Sequence, residues 1–323
     1  MKILAKNSQI VFILSIIFWV FDFLKWTKPT LLSIETSNLT TVTCFFLILT
    51  LGISHGALDN LKGKKLIKFF KIKSILIFYL TYICIGLFVI YLWIIFPSTI
   101  LLIFLLVASY HFGKEDSYFI FNNKKNWHNL FFLSKGLLIV AAPLIFHNAE
   151  TIEIFELLGA DSYFLVMNFT DGTDGEYHHD LFYFAVLGNM LFFYLCLNNK
   201  KASLEWTYVA MDGLIIILLN NALSPLIAFT IYFCLIHSFR HSVSLINMLD
   251  NKNFKKGFHK FIKKAAPLTL VTALLFIFSV YILTNYYVLD EAILKVIFIG
   301  LASLTFPHIL LEYLLEKNEK QRN

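Results

Sequence analysis

Apolar runs long enough to cross a bilayer recur from one end of this chain to the other, and almost every charge lies between them. A hydrocarbon core of roughly 30 Å is crossed by about 20 helical residues. Runs of about that length lie at roughly 8–24, 39–58, 74–96, 98–113, 130–147, 181–198, 204–221, 225–247, 265–284 and 290–314. They are too long, and alternate too little, to be barrel strands. In hydrocarbon the backbone has to satisfy its own hydrogen bonds, which leaves helices. With 58% hydrophobic residues and a mean hydropathy of +0.72, a soluble domain is excluded. The expected fold is all-α: a polytopic integral membrane helical bundle of about ten transmembrane helices, forming a single transmembrane domain over 1–323.

The net charge of +6 invites a nucleic-acid partner until its distribution is read. With the N-terminus placed in the cytoplasm, the inner side holds Lys2 and Lys6; Lys62, Lys64, Lys65, Lys68, Lys71 and Lys73; Lys114, Lys124 and Lys125; Lys200 and Lys201; Lys252, Lys255, Lys256, Lys260, Lys263 and Lys264; and Lys317, Lys320 and Arg322. The outer loops hold Lys25 and Lys28. This asymmetry follows the positive-inside rule and predicts cytoplasmic N- and C-termini. The longest outer segment, 148–180, is acidic, with Glu150, Glu153, Glu156, Asp161, Asp171, Asp174, Glu176 and Asp180. The basic charge therefore faces the cytoplasmic leaflet of a cell (inner) membrane, and no nucleic acid is needed to explain it. Lys2 and Lys6 before an apolar run resemble a signal peptide, but no small-residue cleavage site follows, so a retained first helix is expected. Cys44, Cys84, Cys196 and Cys234 stand singly in apolar runs and read as packing residues, not as a zinc or disulfide framework.

Against this background five histidines stand out: His55 in LGISHGALDN, His111 in ASYHFGKED, His237 and His241 in CLIHSFRHS, and His308 in TFPHILLEY. An ionisable residue inside a membrane helix is costly and points to function. One such imidazole alone can simply hydrogen-bond a neighbouring helix. All five, however, fall in the cytoplasmic half of even-numbered spans, at one depth, and His237 and His241 share a helix face at i, i+4. That pattern predicts a metal centre. Imidazole suits Zn, Cu, Fe and Ni, and His55 with His111 can complete a four-nitrogen set with the pair. Asp59, Glu115 and Glu312 each follow one of these histidines by four residues, where a carboxylate can serve as an additional metal ligand or, as an outer partner, fix the ring and its tautomer; equally, charge simply resumes where a helix leaves the membrane. Arg240 needs a partner such as Asp59, Glu115 or Asp212. Gly52, Ser54, Gly56, Ser109, Gly113, Ser238 and Ser242 allow close helix approach. Pro307 is expected to disturb the last span and turn His308 inward. Phe, Tyr and Trp make up 17% of the chain. Most of these are expected to face lipid, and Tyr110, Phe112, Phe239 and Phe306 are the candidates for contact with a long apolar ligand.

At these motifs the chain resembles the Brp/Blh family of bacterial and archaeal β-carotene 15,15′-dioxygenases. The resemblance is carried by G-I-S-H-G-A-L-D (52–59), S-Y-H-F-G (109–113), H-S-F-R-H-S (237–242) and P-H-I-L-L-E (307–312), in the family's order. It implies cleavage of β-carotene by O2 at the central double bond to two retinal molecules, at a non-haem Fe(2+) held by histidines. Carried over residue by residue, the ligands fall on His55, His111, His237 and His241. His308 matches a further family histidine that serves as additional ligand, outer partner or contact to substrate. The resemblance also implies a setting in membrane lipid and a functional link to a retinal-binding rhodopsin. The acidic segment 148–180 is longer and more polar than the family leads one to expect.

Two other readings stay open at this stage. A membrane di-iron desaturase or hydroxylase of a lipid would carry about eight histidines in clustered boxes, whereas this chain has one HxxxH. A non-enzymatic proton-coupled transporter could use buried His, Asp59 and Arg240 as a relay, but five histidines in one half of the membrane do not make a path across it. The chain shows no flavin or dinucleotide motif, in keeping with a dioxygenase that needs no protein electron donor.

Overall fold

The computed structural model describes residues 2–27, 38–117, 127–161, 170, 171, 176, 177, 179–198 and 204–320. Lys28, Lys124, Lys125, Asp174, Lys200, Lys201 and Arg322, which entered the charge count, lie outside these, as does the side chain of His55. The helices are α1 (Lys2–Thr27), α2 (Asn38–Leu47), α3 (Asp59–Phe69), α4 (Ile75–Ile95), α5 (Pro97–Glu115), α6 (Trp127–Phe146), α7 (Asn148–Leu157), α8 (His179–Leu197), α9 (Leu204–Ala210), α10 (Asp212–Ala222), α11 (Pro225–Ile231), α12 (Ser238–Leu249), α13 (Phe254–Leu283) and α14 (Leu289–Lys320). A π-helical turn (Ile48–Gly52) and a 3-10 turn (Ile53–Leu58) join α2 to α3, and a second π-helical turn (Tyr232–His237) joins α11 to α12. Among the described residues the strand pairing is a two-residue antiparallel ladder, Thr170 with Tyr177 and Asp171 with Glu176.

The fold is an all-α polytopic membrane bundle. Nine helical stretches among the described residues are long and apolar enough to span a bilayer. The tenth expected span, 204–221, is broken into α9 and α10 at Met211, where the buried Asp212 opens the new helix. A carboxylate is favoured by the partial positive charge of a helix N-terminus, and this one also takes an ion pair described below. Two further differences concern length. The second span runs on as one helical stretch from Asn38 to Phe69, so that much of the expected basic loop is helix, and α7 occupies the start of the acidic segment.

The stretch 225–249 is the most buried and α4 the least. Leu80, Ile83, Leu87 and Ile94 of α4, with Leu270, Leu274 and Phe278 of α13, remain exposed, as expected of faces that meet lipid tails no less apolar than themselves. Without a hydrophobic drive between helices, contact depends on small residues and polar links. The tightest crossing is α5 on α6. A Cβ on Gly113 would lie 1.8 Å from the Phe132 carbonyl oxygen, and one on Gly136 would lie 1.7 Å from that of Ser109. Only glycine at both positions lets the two backbones meet. At the other end of α5, Trp93 Nε1 donates to the Leu158 carbonyl at 2.9 Å, and the Asp161 amide donates to Ser98 Oγ at 2.9 Å. These links fix α4, α5 and α7 together.

Gly113→Ala should therefore lower stability by at least about 2 kcal/mol, the range for overpacking a dense interior. Gly56→Ala, whose added Cβ would meet nothing nearer than Asp59 Oδ2 at 3.9 Å, should leave it nearly unchanged. Thermal unfolding of the detergent-solubilised protein measures both; equal midpoints would mean that the α5–α6 crossing tolerates a side chain.

Candidate metal centre

The two π-helical turns bring the first and third histidine motifs together. A π turn is rare and carries one more residue per hydrogen-bonded ring than an α turn, so it re-aims the side chains that follow. Here the turns pack on one another. A Cβ on Gly52 would lie 2.5 Å from the Phe233 ring, and Ser238 Oγ donates to the Gly52 carbonyl at 3.2 Å. His55 follows the first turn, and His237 ends the second. His111 comes from the last turn of α5, His241 from α12 and His308 from α14, one residue after Pro307; α14 runs through that proline.

His111, His237, His241 and His308 are all buried. Ring centroids of His111 lie 5.4 Å from His237 and 5.3 Å from His308, and His241 lies 5.9 Å from His308. Three of the four rings have Nδ1 on a carboxylate. His308 Nδ1 is 2.7 Å from Asp59 Oδ2, His241 Nδ1 is 3.0 Å from Glu115 Oε2, and His237 Nδ1 is 3.3 Å from Asp116 Oδ1. An ionised carboxylate only accepts, so in a neutral ring Nδ1 carries the proton and Nε2 presents the lone pair. Two carboxylates are themselves held. The Tyr82 hydroxyl donates to Asp59 Oδ2 at 2.8 Å, and that of Tyr232 donates to Asp116 Oδ2 at 2.5 Å.

Among the described residues, donor atoms converge in two sets. One atom each from His111, His308 and Glu312 lie within 4.8 Å of one another, and so do one each from Glu115, His241 and Glu312. His111 Nε2 is buried with no hydrogen-bond partner, an arrangement that a bound metal would relieve. Imidazole nitrogens and carboxylate oxygens are a donor set that first-row metals accept, and a ring steadied through its other nitrogen is the usual support for such ligands.

Arg240 belongs to a separate network. Its Nη1 and Nη2 donate to Asp212 at 2.6 and 2.7 Å, Nη2 also donates to Ser8 at 2.9 Å, and Lys135 Nζ lies 3.4 Å from Asp212. Lys135 and Asp212 are almost fully buried, and the Lys135 ammonium sits 4.4 Å from the Phe192 ring. Of the three partners proposed from the sequence for Arg240, the structure selects Asp212.

The expected carboxylates are all present, but two of them pair between helices: Asp59 of α3 with His308 of α14, and Glu115 of α5 with His241 of α12. Glu312 stays near the histidine of its own helix, 3.7 Å from His308 Nε2, and takes Lys62 at 2.6 Å. Phe112 packs on His237 with centroids 4.5 Å apart. Phe306 packs on the main apolar core, and Phe239 is half-buried. Tyr110 instead turns to α6, meeting Phe132 edge to face and donating to Asn129 Oδ1 at 3.0 Å. Sequence reasoning missed Asp116, Tyr82, Tyr232 and Lys135. Lys135 had a signal, a lone lysine inside FFLSKGLLIVAA; Asp116 had only its place beside Glu115.

A family model described as beta-carotene 15,15′-dioxygenase matches residues 46–316, a stretch that holds every histidine and carboxylate of this cluster. The chain belongs to the β-carotene 15,15′-dioxygenase family. It is thereby a carotenoid-cleaving dioxygenase. A beta-carotene 15,15′-dioxygenase from uncultured marine bacterium 66A03 is 30% identical over 275 residues, 82% of this chain and 90% of that protein. No solved structure matches significantly.

In a member of this family, Asp116→Asn should weaken metal binding by about 10- to 100-fold, the usual cost of removing a partner that orients a ligand. A chelator-competition titration would show it, and an unchanged affinity would separate Asp116 from the centre. Asp212→Leu strands Arg240 in the interior and should cost about 3–5 kcal/mol of stability, read as a lowered unfolding midpoint; a midpoint within a degree of wild type would contradict it.

Proposed function

We propose that this chain cleaves β-carotene at its 15,15′ double bond with O2, giving two retinal molecules, at a non-haem Fe(II) within the membrane. His55, His111, His237 and His241 are assigned as ligands, with His308 in the same cluster. The observation that carries the reading is the set of three Nδ1–carboxylate pairs around closely packed buried imidazoles. The substrate follows from the name of the marine bacterial relative.

The stoichiometry closes without a further reductant: one C=C bond breaks, two C=O bonds form, and both atoms of O2 enter product. Iron(II), when bound, supplies the one-electron chemistry by which O2 reacts with a closed-shell polyene. The chain's own residues do the holding and the exclusion. Asp59, Glu115 and Asp116 hold the proton on Nδ1 of His308, His241 and His237, which leaves Nε2 as the ligand atom of each ring. Phe112, Tyr232 and Phe233 pack around His237 and keep water from it. A rigid hydrocarbon such as β-carotene dissolves in the bilayer, so a site at membrane depth takes it from membrane lipid. The charge bias of the loops supports a centre in the cytoplasmic half of a cell (inner) membrane. The retinal formed there would serve a retinal-binding rhodopsin.

Expression in bacteria that accumulate β-carotene should deplete the carotene and yield retinal. His237→Ala or His241→Ala should abolish this, and growth with an iron chelator should suppress it, as pigment extraction would show. Undiminished carotene beside folded wild-type protein overturns the assignment, and longer apocarotenoids would move the cleavage position.

A further inference from the structure

Four carboxylates surround the imidazoles, and they do not stand in the same relation to them. Asp59, Glu115 and Asp116 each meet the Nδ1 atom of one ring. Glu312 stands instead towards Nε2, 3.7 Å from that of His308. It is also the one residue common to both converging donor sets, with His111 and His308 in one and with His241 and Glu115 in the other. Two ligands at about 2.1 Å from one ion are at most about 4.2 Å apart. Donor atoms that already lie within 4.8 Å of one another meet that limit with at most small side-chain movements.

Charge points the same way. A divalent ion held by neutral imidazoles alone keeps its full charge in a medium that solvates charge poorly. One carboxylate in the ligand set halves that charge. Lys62 Nζ lies 2.6 Å from Glu312 Oε1, with both side chains less than one-fifth exposed, so this carboxylate stands beside a counter-charge. A carboxylate offers about four lone-pair sites on two oxygens, so it can hold Lys62 and still accept a metal.

We propose that Glu312 is itself a ligand, so that the centre is a mixed imidazole–carboxylate site, and that Lys62 is the positioning residue that holds this carboxylate towards the imidazoles. The proposal rests on the reading of the cluster as a metal centre.

The test uses the full-length protein in detergent, freed of metal and titrated with Co(II), whose d–d absorption reports the atoms bound to it. Glu312→Gln should shift the bands and raise the Co(II) dissociation constant by about tenfold or more. Lys62→Met should leave the bands in place and weaken binding by a smaller factor, as befits a residue that acts through another. Bands unchanged in Glu312→Gln, while His111→Ala alters them, would overturn the role of Glu312 and leave the metal centre standing. Wild-type protein that takes up no Co(II) would overturn both. Should Glu312→Gln fail to fold, Glu312→Asp decides the matter: the charge is kept and the reach shortened, so shifted bands support ligation and wild-type bands refute it.

Discussion

An ionisable group inside a bilayer has to find its partner within the protein, because neither water nor lipid supplies one. A lone charge at mid-membrane costs about 2.5–3.5 kcal/mol on insertion scales, and breaking a buried pair costs about 3–5 kcal/mol. An exposed pair is worth at most about 1 kcal/mol. Buried pairs of this kind specify an arrangement more than they stabilise it. Asp59 meets His308 only when α3 lies against α14, and Asp116 meets His237 only when α5 lies against the π turn before α12. The glycine crossing of α5 on α6 sets where α5 can stand, and so where His111, Glu115 and Asp116 are delivered. The Arg240–Asp212–Lys135 network applies the same requirement between α12, α10 and α6. It anchors the helix that carries both His237 and His241.

The polar end of the bundle is graded. Along α14, Glu312, Glu316 and Glu319 pair with Lys62, Lys114 and Lys65, at 2.6, 3.1 and 2.5 Å. These three glutamates are 17%, 27% and 48% exposed in turn, so screening by water falls towards the histidines. The outermost pair contributes little to stability. The innermost sits where electrostatics is strongest, and there the carboxylate faces imidazole on one side and ammonium on the other. Both lysine-bearing helices, α3 and α5, also carry members of the cluster, so this ladder holds in register the elements on which the site is built.

The bundle and the histidines could be read from the sequence because each breaks an expectation locally: long apolar runs among charges, and imidazoles where nothing polar should be. Their partners were harder to read. Spacing at i, i+4 suggested carboxylates on the same helix, whereas Asp59 and Glu115 pair across helices, and contacts between distant segments leave no periodic trace. Asp116 lies just past the end of α5, where a charge looks like ordinary return to water. The hydroxyls of Tyr82 and Tyr232 sit among 15 tyrosines and 35 phenylalanines, and nothing in the pattern separates a tyrosine that holds a carboxylate from one that only packs. The break at Met211 was hidden for a related reason. A run of apolar length predicts a helix, and the demand of Arg240 for a buried carboxylate at that point comes from a residue 28 positions away.

The aromatic shell gives these polar links their strength. Phe112 meets the edge of His237 at 4.5 Å, and Phe233 stacks on it at 6.0 Å, only 15° from parallel. Phe233 in turn stacks on Phe229 at 5.4 Å, one turn earlier. Hydrogen bonds in a medium of low dielectric constant are stronger than the same bonds in water, and an unmet polar atom there is correspondingly costly. The shell therefore acts twice. It tightens the bond between His237 Nδ1 and Asp116, and it raises the penalty on any donor atom left over, such as His111 Nε2. A site built this way is held closely by its outer contacts around the buried imidazole nitrogen of His111. That is the condition under which a metal ion would complete the fold as well as serve the chemistry.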